Sequence, residues 1–493
     1  MNRPQVERAL LPGTEERSML RDSVRGFLEA HWPPEGAVAR GAQPAAVALL
    51  WDGLAQQGLA ALGSEPTEGG LREIAIVMEE LGRAAAPVPM LGHLLANLAL
   101  AAAGVDDDLR SRLQDGELRL TIAFAPPPVA PDAIALRDGH VAGTLQAVDH
   151  GVEATHLLLV DASGAFLIEL CAPGVTVVAS TVLGAGGWAE LRLEHAPARR
   201  IALDPQARDD LPLLARLLLV ARAHGAARRS FELAVDYARE RQQFGQPIGR
   251  FQAIQHKLAN CLIALEGVGL TLQHAAEAFD FGLPDWRYFA AAAVAFGGQQ
   301  LRQVSLETHH TFGAIGYAEE HEAPRHFRQV HRDTLALGGA VLARQELAAH
   351  FLDRGGAVPE YDLGDAGNAF RETVREWLAR HWSGERRAAF ARLPFHEREF
   401  DPAFARDLGR TGWLGLAWPR EFGGQARSAR EQLAFLEVME RAEAPPRFGA
   451  AVQANALIMH GTPEQRARYL PEILRGEAMH GMGYSEPNAG SDL

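Results

Sequence analysis

Residues 482–493 read Met-Gly-Tyr-Ser-Glu-Pro-Asn-Ala-Gly-Ser-Asp-Leu, and this stretch guides the interpretation of the whole chain. Ser485 and Ser491 supply hydroxyl groups, while Pro487 and Gly490 favour a tight reversal that leaves backbone N–H groups free. Such a loop can hydrogen-bond the polar edge of a planar cofactor and one end of a substrate. A surface turn uses the same residue types, so these residues alone leave both interpretations open.

The composition is typical of a soluble globular protein with more than one domain. The chain has 493 residues, of which 47% are hydrophobic and 22% are charged, and this length predicts two to four domains. The formal net charge of −14 argues against nucleic-acid binding, because no basic face is implied.

The sequence gives little indication of a targeting segment, a membrane span or a disulfide framework. Cys171 and Cys261 are the two cysteines of the sequence and cannot form a disulfide framework. Met1–Glu16 is polar and does not resemble a signal peptide, and the apolar run Leu211–Val220 is interrupted by an arginine and too short to span a bilayer. The sequence therefore predicts a cytoplasmic protein without a membrane span.

An internal repeat organises the chain. Arg21–Trp32 reads RDSVRGFLEAHW, and Arg371–Trp382 reads RETVREWLARHW. Two further pairs of segments follow in the same order, Gly58–Leu62 with Gly412–Leu416 and Val77–Glu80 with Val438–Arg441. We interpret the chain as one complete unit, called unit one, followed by the beginning of a second, called unit two.

Periodicity predicts helices first, then strands, then helices again. Thr14 is a candidate cap for a helix over Glu15–Ala30, and short runs between Leu118 and Leu193 have the character of strands. Asp210-Leu-Pro212 predicts the start of the next helical region. The predicted domains of unit one are residues 1–116 (helical), 117–204 (β) and 205–354 (helical bundle); residues 355–368 form a linker, and unit two comprises a helical domain, 369–480, and the start of a β domain, 481–493.

The terminal string resembles the flavin- and substrate-binding signature of the acyl-CoA dehydrogenases, and the roughly 110 residues before it resemble their amino-terminal helical domain. The resemblance implies a mainly α fold with an inserted β domain, a β-barrel or sandwich, and a four-helix bundle. In unit two it implies that FAD contacts Met482, Gly483, Tyr484, Ser485, Gly490 and Ser491. Ser485 would bond the isoalloxazine edge and Ser491 would contact the CoA arm of the substrate.

Tyr237–Gly245, reading YARERQQFG, resembles the bundle signature of the same family. The resemblance implies that Arg241 and Phe244 reach the flavin of a neighbouring unit, where a guanidinium fork suits a pyrophosphate and a phenyl ring covers an aromatic face. His310 departs from the usual glutamine of the following element but keeps a hydrogen-bonding side chain. The alternative interpretation of this motif is an exposed, charged helix end followed by a glycine turn.

Unit one departs from the family pattern at its own redox site. The family's Ser-Glu-Pro loop is replaced by Phe124–Pro128, and the positions beside the isoalloxazine fall on Ala147 and Asp149. The positions of the catalytic glutamate and of its alternative fall on Leu337 and Ala215. Unit one is therefore predicted to have lost its redox site while keeping residues that serve a neighbour.

The resemblance implies removal of the α-proton of an acyl-CoA by a carboxylate, with hydride transfer to the flavin. Arg216 matches a family arginine and is a candidate substrate contact together with Ser491. No catalytic residue is identified, and the base is expected in a part of unit two that is missing, since we expect the chain to be truncated. Electron-transferring flavoprotein is the expected acceptor, and we expect a homo-oligomer or a pseudo-dimer between units.

Two other functions remain open from the sequence. One is a non-catalytic partner subunit or inactive fragment, and the other is an oxidase that passes electrons to oxygen. The acyl group is not determined, although fused members of the family suggest bulky or branched groups.

Metal and nicotinamide sites are not predicted. His321, His326 and His331 are spaced by five residues and do not share one helical face. Gly184–Gly187 lacks the spacing of a dinucleotide-binding turn.

Overall fold

The computed structural model describes residues 13–101, 103, 107–125, 134–180, 187–382, 384–398, 400–445, 452–478, 483 and 485–490. The chain forms two compact units, Met1–Val358 and Pro359–Leu493. The boundary lies inside the segment predicted to be a linker, although the helix that begins at Gly364 already occupies the end of that segment. Within the ranges just given, no helix combines the length and the apolar character needed to cross a membrane.

The amino-terminal part of unit one is helical. Its helices are α1 (Thr14–His31), α2 (Ala37–Gly41), α3 (Pro44–Gln56), α4 (Leu71–Ala84), α5 (Met90–Leu100) and α6 (Asp107–Gln114). The predicted cap at Thr14 is wrong by one residue. Gly13 is the extended N-cap residue, and its N–H donates to the Glu16 carboxylate at 2.5 Å, so Thr14 begins the helix.

Helix α4 lies at the centre of unit one and buries most of its residues. Its first turn is capped from a distant helix, because the Asp280 carboxylate accepts the N–H groups of Leu71 at 2.8 Å and Arg72 at 3.0 Å. A carboxylate at a helix N-terminus is also favoured by the helix dipole. The cap therefore ties α4 to the helical bundle of unit one.

The β domain of unit one is a sandwich of two four-stranded sheets. Its strands are β1 (Leu120–Phe124), β2 (Ala135–Arg137), β3 (His140–Asp149), β4 (His156–Asp161), β5 (Gly164–Glu169), β6 (Val175–Ser180), β7 (Trp188–Pro197) and β8 (Arg199–Ile201). The sheet orders are β1-β4-β5-β8 and β2-β3-β7-β6, and within them β1 and β4 are parallel. Apolar side chains from both sheets, among them Leu145, Phe166 and Leu191, share one core.

Strand β3 has no counterpart among the strand-like runs of the sequence, which are Leu118–Phe124, His156–Val160, Phe166–Leu170, Val175–Val178 and Ala189–Leu193. Its pairing with β7 shifts register between Val141 and Gly143 and again between Leu145 and Val148. Each irregularity interrupts the alternation of apolar and polar residues on which strand prediction relies.

A helical bundle completes unit one. It consists of α7 (Pro205–Glu240), α8 (Gln252–Asp280), α9 (Trp286–Phe312), α10 (Ala323–Leu335) and α11 (Gly339–Ala348), with a short hairpin of β9 (Gln242–Gln243) and β10 (Gln246–Pro247) between α7 and α8. The predicted start at Asp210-Leu-Pro212 is wrong, because Asp204 caps α7 and Pro205 occupies its first turn. The Asp210 carboxylate instead accepts two hydrogen bonds from Arg287, at 2.7 and 2.8 Å.

Unit two is helical over its described residues. It contains α12 (Gly364–His381), α13 (Gly384–Ala391), α14 (Pro402–Thr411), α15 (Ala429–Arg441), α16 (Val452–His460) and α17 (Pro463–Leu474). The repeat seen in the sequence is also present in the structure of the helix ends. Trp32 and Trp382 cap α1 and α12 in the same way, each with its backbone N–H 2.7 Å from a leucine carbonyl one turn earlier.

The buried histidine His93 should make unit one sensitive to mild acid. Its ring is fully buried, with Nε2 3.0 Å from the Ala60 carbonyl, and burial lowers the pKa of His93 to about 4. The folded state keeps this ring neutral while the unfolded chain protonates it below about pH 6.5. Stability is therefore present in full above pH 6.5 and is lost as the pH falls towards 4.

We expect His93 to account for about 2 kcal/mol of the stability lost between pH 7.5 and 5. In His93→Gln, denaturation at the two pH values should show a correspondingly smaller difference. The same substitution at exposed His256 is the control and should leave that difference as in the parent. An unchanged difference in His93→Gln would show that this ring does not set the acid sensitivity.

Candidate functional site

The hairpin that follows α7 presents Arg241 and Phe244 at one end of the bundle. Arg241 caps α7, and its guanidinium has no hydrogen-bond partner within the described part of the chain. Phe244 is 91% exposed and, with Gly245, forms a turn in which both residues have positive φ, 52° and 77°. A phenyl ring held in solvent by a strained turn is costly for a monomer and suits a contact surface.

His310 lies at the same end of the bundle, in the last turn of α9. Lys257 of α8 joins it, with Nζ 3.0 Å from His310 Nδ1 and 3.0 Å from the Glu307 carboxylate. A small apolar cluster ties the helix ends together, and within it the rings of Tyr237 and Phe312 are 5.5 Å apart. The structure therefore brings the three predicted flavin contacts of unit one, Arg241, Phe244 and His310, to one end of the bundle.

Lys257 was not predicted from the sequence. It stands in α8, 53 residues before His310, and only the packing of α8 against α9 reveals the pair. Lys257 is the only lysine of the sequence, but no local pattern around it indicates its partner.

Asp149, at a predicted flavin position of unit one, is part of a buried ion network. Arg222 binds the Asp149 carboxylate through two hydrogen bonds, at 2.9 and 3.0 Å, and the Asp333 carboxylate through two more, at 2.7 and 2.8 Å. Burial alone would raise the pKa of Asp149, but the charge of Arg222 outweighs it and holds that pKa well below its usual range. Arg332 also donates to Asp333, at 3.1 Å.

The sequence did contain a signal for this network. Arg222 interrupts an apolar run of α7, and the arginine side chain is 2% exposed. An arginine on a buried helix face requires an acidic partner, so Arg222 could have been predicted to meet a carboxylate.

The remaining predicted positions of unit one carry no free acid. Ala147 is exposed at a bulge, Ala215 is fully buried, and Leu337 has a positive φ of 53° at the kink between α10 and α11. Arg216 is buried and pairs with Glu346 at 2.5 Å. The residues at these positions do not fit a flavin bound to unit one, because the Asp149 carboxylate already accepts hydrogen bonds from Arg222 on both oxygens.

The flavin loop predicted in unit two forms a tight reversal over its described residues. Glu486 and Ala489 exchange backbone hydrogen bonds at 2.7 and 3.2 Å, with Pro487 and Asn488 at the tip. Ser485, Gly483 and Gly490 are exposed, whereas the predicted contacts Met482, Tyr484 and Ser491 lie outside the described residues. The exposed hydroxyl and the open glycines fit a loop that contacts a ligand.

Metal ligation has no support in the described part of the chain. No group of three or more histidine, cysteine, aspartate or glutamate side chains there is arranged to hold a metal ion.

The chain belongs to the acyl-CoA dehydrogenase family. The model of the acyl-CoA dehydrogenase N-terminal domain matches twice, at residues 14–111 and 365–477, and the model of the C-terminal domain matches residues 213–352. The double match confirms the repeat seen in the sequence. Members of the family are FAD-dependent oxidoreductases that act on CH–CH bonds, and the predicted family and fold class are confirmed.

Individual relatives support the same assignment. The chain is 28% identical to acyl-CoA dehydrogenase FadE34 of Mycobacterium tuberculosis over 97% of its own length, and it spans 66% of the length of that protein. It is 30% identical to acyl-CoA dehydrogenase IpdE2 of Mycolicibacterium smegmatis over 66% of this chain and 95% of that one. The solved steroid ACAD variant Tcur3481-Tcur3483 superposes with a TM-score of 0.62 at 29% identity, covering 69% of this chain and 99% of the other.

Proposed function

We propose that this chain acts in the FAD-dependent α,β-dehydrogenation of an acyl-CoA thioester. The observation that carries the proposal is the contrast within unit one. The Arg222 network occupies a flavin position there, while Arg241, Phe244 and His310 remain available at the bundle end. A unit with this pattern serves the flavin of a paired family unit and holds none of its own.

The bundle end of unit one has the groups that a flavin dinucleotide requires. The Arg241 guanidinium would bind a diphosphate through paired, charged hydrogen bonds, and Phe244 would cover a planar ring. Lys257 and His310, 3.0 Å apart, would add a cation and a hydrogen-bonding ring beside them. These are binding and positioning roles.

The loop of unit two would hold the isoalloxazine. Ser485 and the backbone N–H groups near Gly483 and Gly490 would hydrogen-bond its polar edge, with Met482 and Tyr484 beside it. Ser491 would contact the CoA arm of the substrate. FAD, when bound, supplies the hydride acceptor of the reaction.

In this proposal Arg216 remains a candidate substrate contact, but it is not free to bind. Its guanidinium is held by Glu346, whose side chain is 42% exposed, so a substrate would have to compete with that carboxylate. Neither Leu337 nor Ala215 can act as the base, and we assign none. Electron-transferring flavoprotein is proposed as the acceptor.

The relatives support a proposal for the substrate class. The Tcur3481-Tcur3483 structure is described as a steroid ACAD, and on that basis we propose a bulky acyl group, such as a steroid side chain, for this chain. Assays with a steroid side-chain CoA thioester and with a straight-chain acyl-CoA of equal carbon number compare the two classes directly.

Flavin content of the full-length protein from its native source tests the proposal. We expect a yellow protein, and we expect Arg241→Ala and Phe244→Ala each to weaken flavin binding by about tenfold, because each removes a direct contact. Arg239→Ala is the matched control, since Arg239 lies on the same helix end, its side chain is 74% exposed, and Asp236 is its only ion-pair partner among the residues that the structure describes.

The intact mass of the same sample separates the alternatives. A colourless protein with the calculated mass of 53.3 kDa would contradict the proposal and favour a non-catalytic partner subunit. Equal flavin affinity in Arg241→Ala, Phe244→Ala and the control would show that the bundle end does not contact the cofactor. Oxygen consumption during turnover would identify an oxidase instead of a dehydrogenase.

A further inference from the structure

Lys257 is the one lysine among the 48 lysine and arginine residues of the sequence. It stands near the start of α8, and its side chain is 20% exposed. A primary amine becomes a nucleophile once it loses a proton, whereas the guanidinium of arginine stays protonated in proteins. The chain therefore has a single side-chain amine, which lies at the bundle end that also presents Arg241 and Phe244.

His310 provides a proton acceptor for this amine. Nζ of Lys257 lies 3.0 Å from Nδ1 of His310, and a lysine ammonium has donors but no acceptor. Nδ1 therefore accepts in this contact, which leaves the ring neutral with its own proton on Nε2. A neutral imidazole within hydrogen-bond distance of an ammonium is placed to act as a general base toward it. Because His310 is exposed, the ring can pass the proton on to solvent.

Glu307 opposes the release of the amine. Its carboxylate lies 3.0 Å from Nζ of Lys257, and this ion pair must open before the nitrogen can attack another molecule. The Glu307 side chain is 30% exposed and also accepts a hydrogen bond from Gln303 at 2.7 Å. Solvent-exposed pairs of this kind are weak, so the pair opens readily. The amine thus lies between a base that can take its proton and a carboxylate that restrains it.

An acyl donor and a surface for its acyl chain are both available to this amine. The chain belongs to a family named for acyl-CoA substrates, and Lys257 lies within the part that matches the C-terminal domain model. The carbonyl carbon of a thioester transfers its acyl group to amines. Leu306, four residues before His310 on α9, is 48% exposed and offers an apolar contact on the same helix face.

We propose that Lys257 is a site of Nε-acylation by acyl-CoA thioesters, with His310 as the base. In this reaction the ammonium gives one proton to His310 Nδ1, and the free amine attacks the thioester carbonyl carbon. A new C–N bond forms, the C–S bond breaks, and the second proton leaves the nitrogen with CoA as its thiol. The product is an amide, and neither an oxidant nor a reductant is required.

Acylation changes the charge of the bundle end. The amide is neutral, so it can no longer form an ion pair with Glu307 or supply a cation beside His310. The effect on flavin rests on the proposed function, in which this cation lies beside the cofactor, and there we expect several-fold weaker flavin binding by the acylated protein. The acylation itself needs no flavin. An unchanged flavin affinity after acylation would therefore contradict the proposed flavin contact and leave the acylation site standing.

Incubation of the full chain with butyryl-CoA, followed by intact mass spectrometry, tests the site. We expect the mass to rise by one butyryl group that resists neutral hydroxylamine, and peptide fragmentation should place that group on Lys257. Hydroxylamine cleaves thioesters but not amides, so it removes any acyl group from the exposed thiol of Cys171. Acylation confined to the N-terminal amine or to cysteine, or no acylation at all, would overturn the proposal.

Variants separate the base from the carboxylate. His310→Gln keeps a hydrogen-bonding side chain that cannot take up the proton, so we expect acylation of Lys257 to be at least tenfold slower. Glu307→Gln removes the ion pair and should make acylation several-fold faster. His256→Gln alters an exposed histidine of α8 that is adjacent in sequence and does not share the helix face of Lys257, and it should react at the parent rate. Equal rates in all four proteins would overturn the role of His310 as the base.

Discussion

Replacing Arg222 with methionine should lower the free energy of unfolding of unit one by about 3–5 kcal/mol, because it removes the charged partner that the Asp149 and Asp333 carboxylates share. Arg222 joins Asp149 of β3 to Asp333 of α10 through four hydrogen bonds between 2.7 and 3.0 Å, and its side chain is 2% exposed. Methionine has a similar length but offers neither charge nor donors. Chemical denaturation followed by circular dichroism measures the loss.

Two further variants separate the charge from the geometry of this network. Arg222→Lys keeps the charge but loses the planar fork, so we expect an intermediate loss. Arg239→Met makes the same change in an exposed pair and should stay within about 0.5 kcal/mol of the parent. A loss below about 1 kcal/mol in Arg222→Met would mean that the two carboxylates are satisfied by other groups.

The same network includes a residue at a predicted flavin position of unit one. Asp149 stands at a position beside the flavin in the family resemblance, yet its carboxylate is bound on both oxygens by Arg222. The Asp149 carboxylate, which stands at a predicted flavin position, is therefore used in an ion pair that links the β domain to the bundle.

Regular periodicity made much of the fold predictable from the sequence. Apolar residues that recur with the helical period predict helices over Leu71–Gly82, Phe251–Phe281 and Trp286–His310. Helices α4, α8 and α9 agree with these ranges to within about two residues at either end. The repeated segments that end in Trp32 and Trp382 predicted a second unit, and each of them lies within one of the two matches to the N-terminal domain model. Local patterns of this kind require no knowledge of the rest of the chain.

Features that depend on distant residues were not predictable. Asp280 caps α4 across more than 200 positions of the chain, and Arg222 reaches Asp149 across 73 positions. Asp210 has the sequence features of a helix cap but is drawn into a pair with Arg287 instead. In each case a tertiary partner decides between local alternatives of similar energy.

The candidate site likewise contains residues that the sequence predicts and residues that only the packing reveals. Arg241, Phe244 and His310 were identified from a motif, and the structure adds that the hairpin turn exposes Phe244 in a strained conformation. Lys257 could not be identified, because its relation to His310 exists only once α8 and α9 pack.

Gly225→Ala should destabilise unit one by about 3 kcal/mol or more, since α4 and α7 cross with their backbones in direct contact. A methyl group on Gly225 would overlap the carbonyl oxygen of Glu79, and one on Gly82 would overlap that of Arg222. The helices would have to separate, which would also pull Arg222 away from its two carboxylates.

The matched control is Gly26→Ala in α1, where the added methyl group meets no atom within 4 Å. Alanine is the better helix former, so this variant should gain about 0.5–1 kcal/mol. Opposite signs for one substitution in two helices would show that contact between backbones, and not helix propensity, requires glycine at the crossing. A stabilising Gly225→Ala would mean instead that α4 and α7 lie further apart than the structure shows.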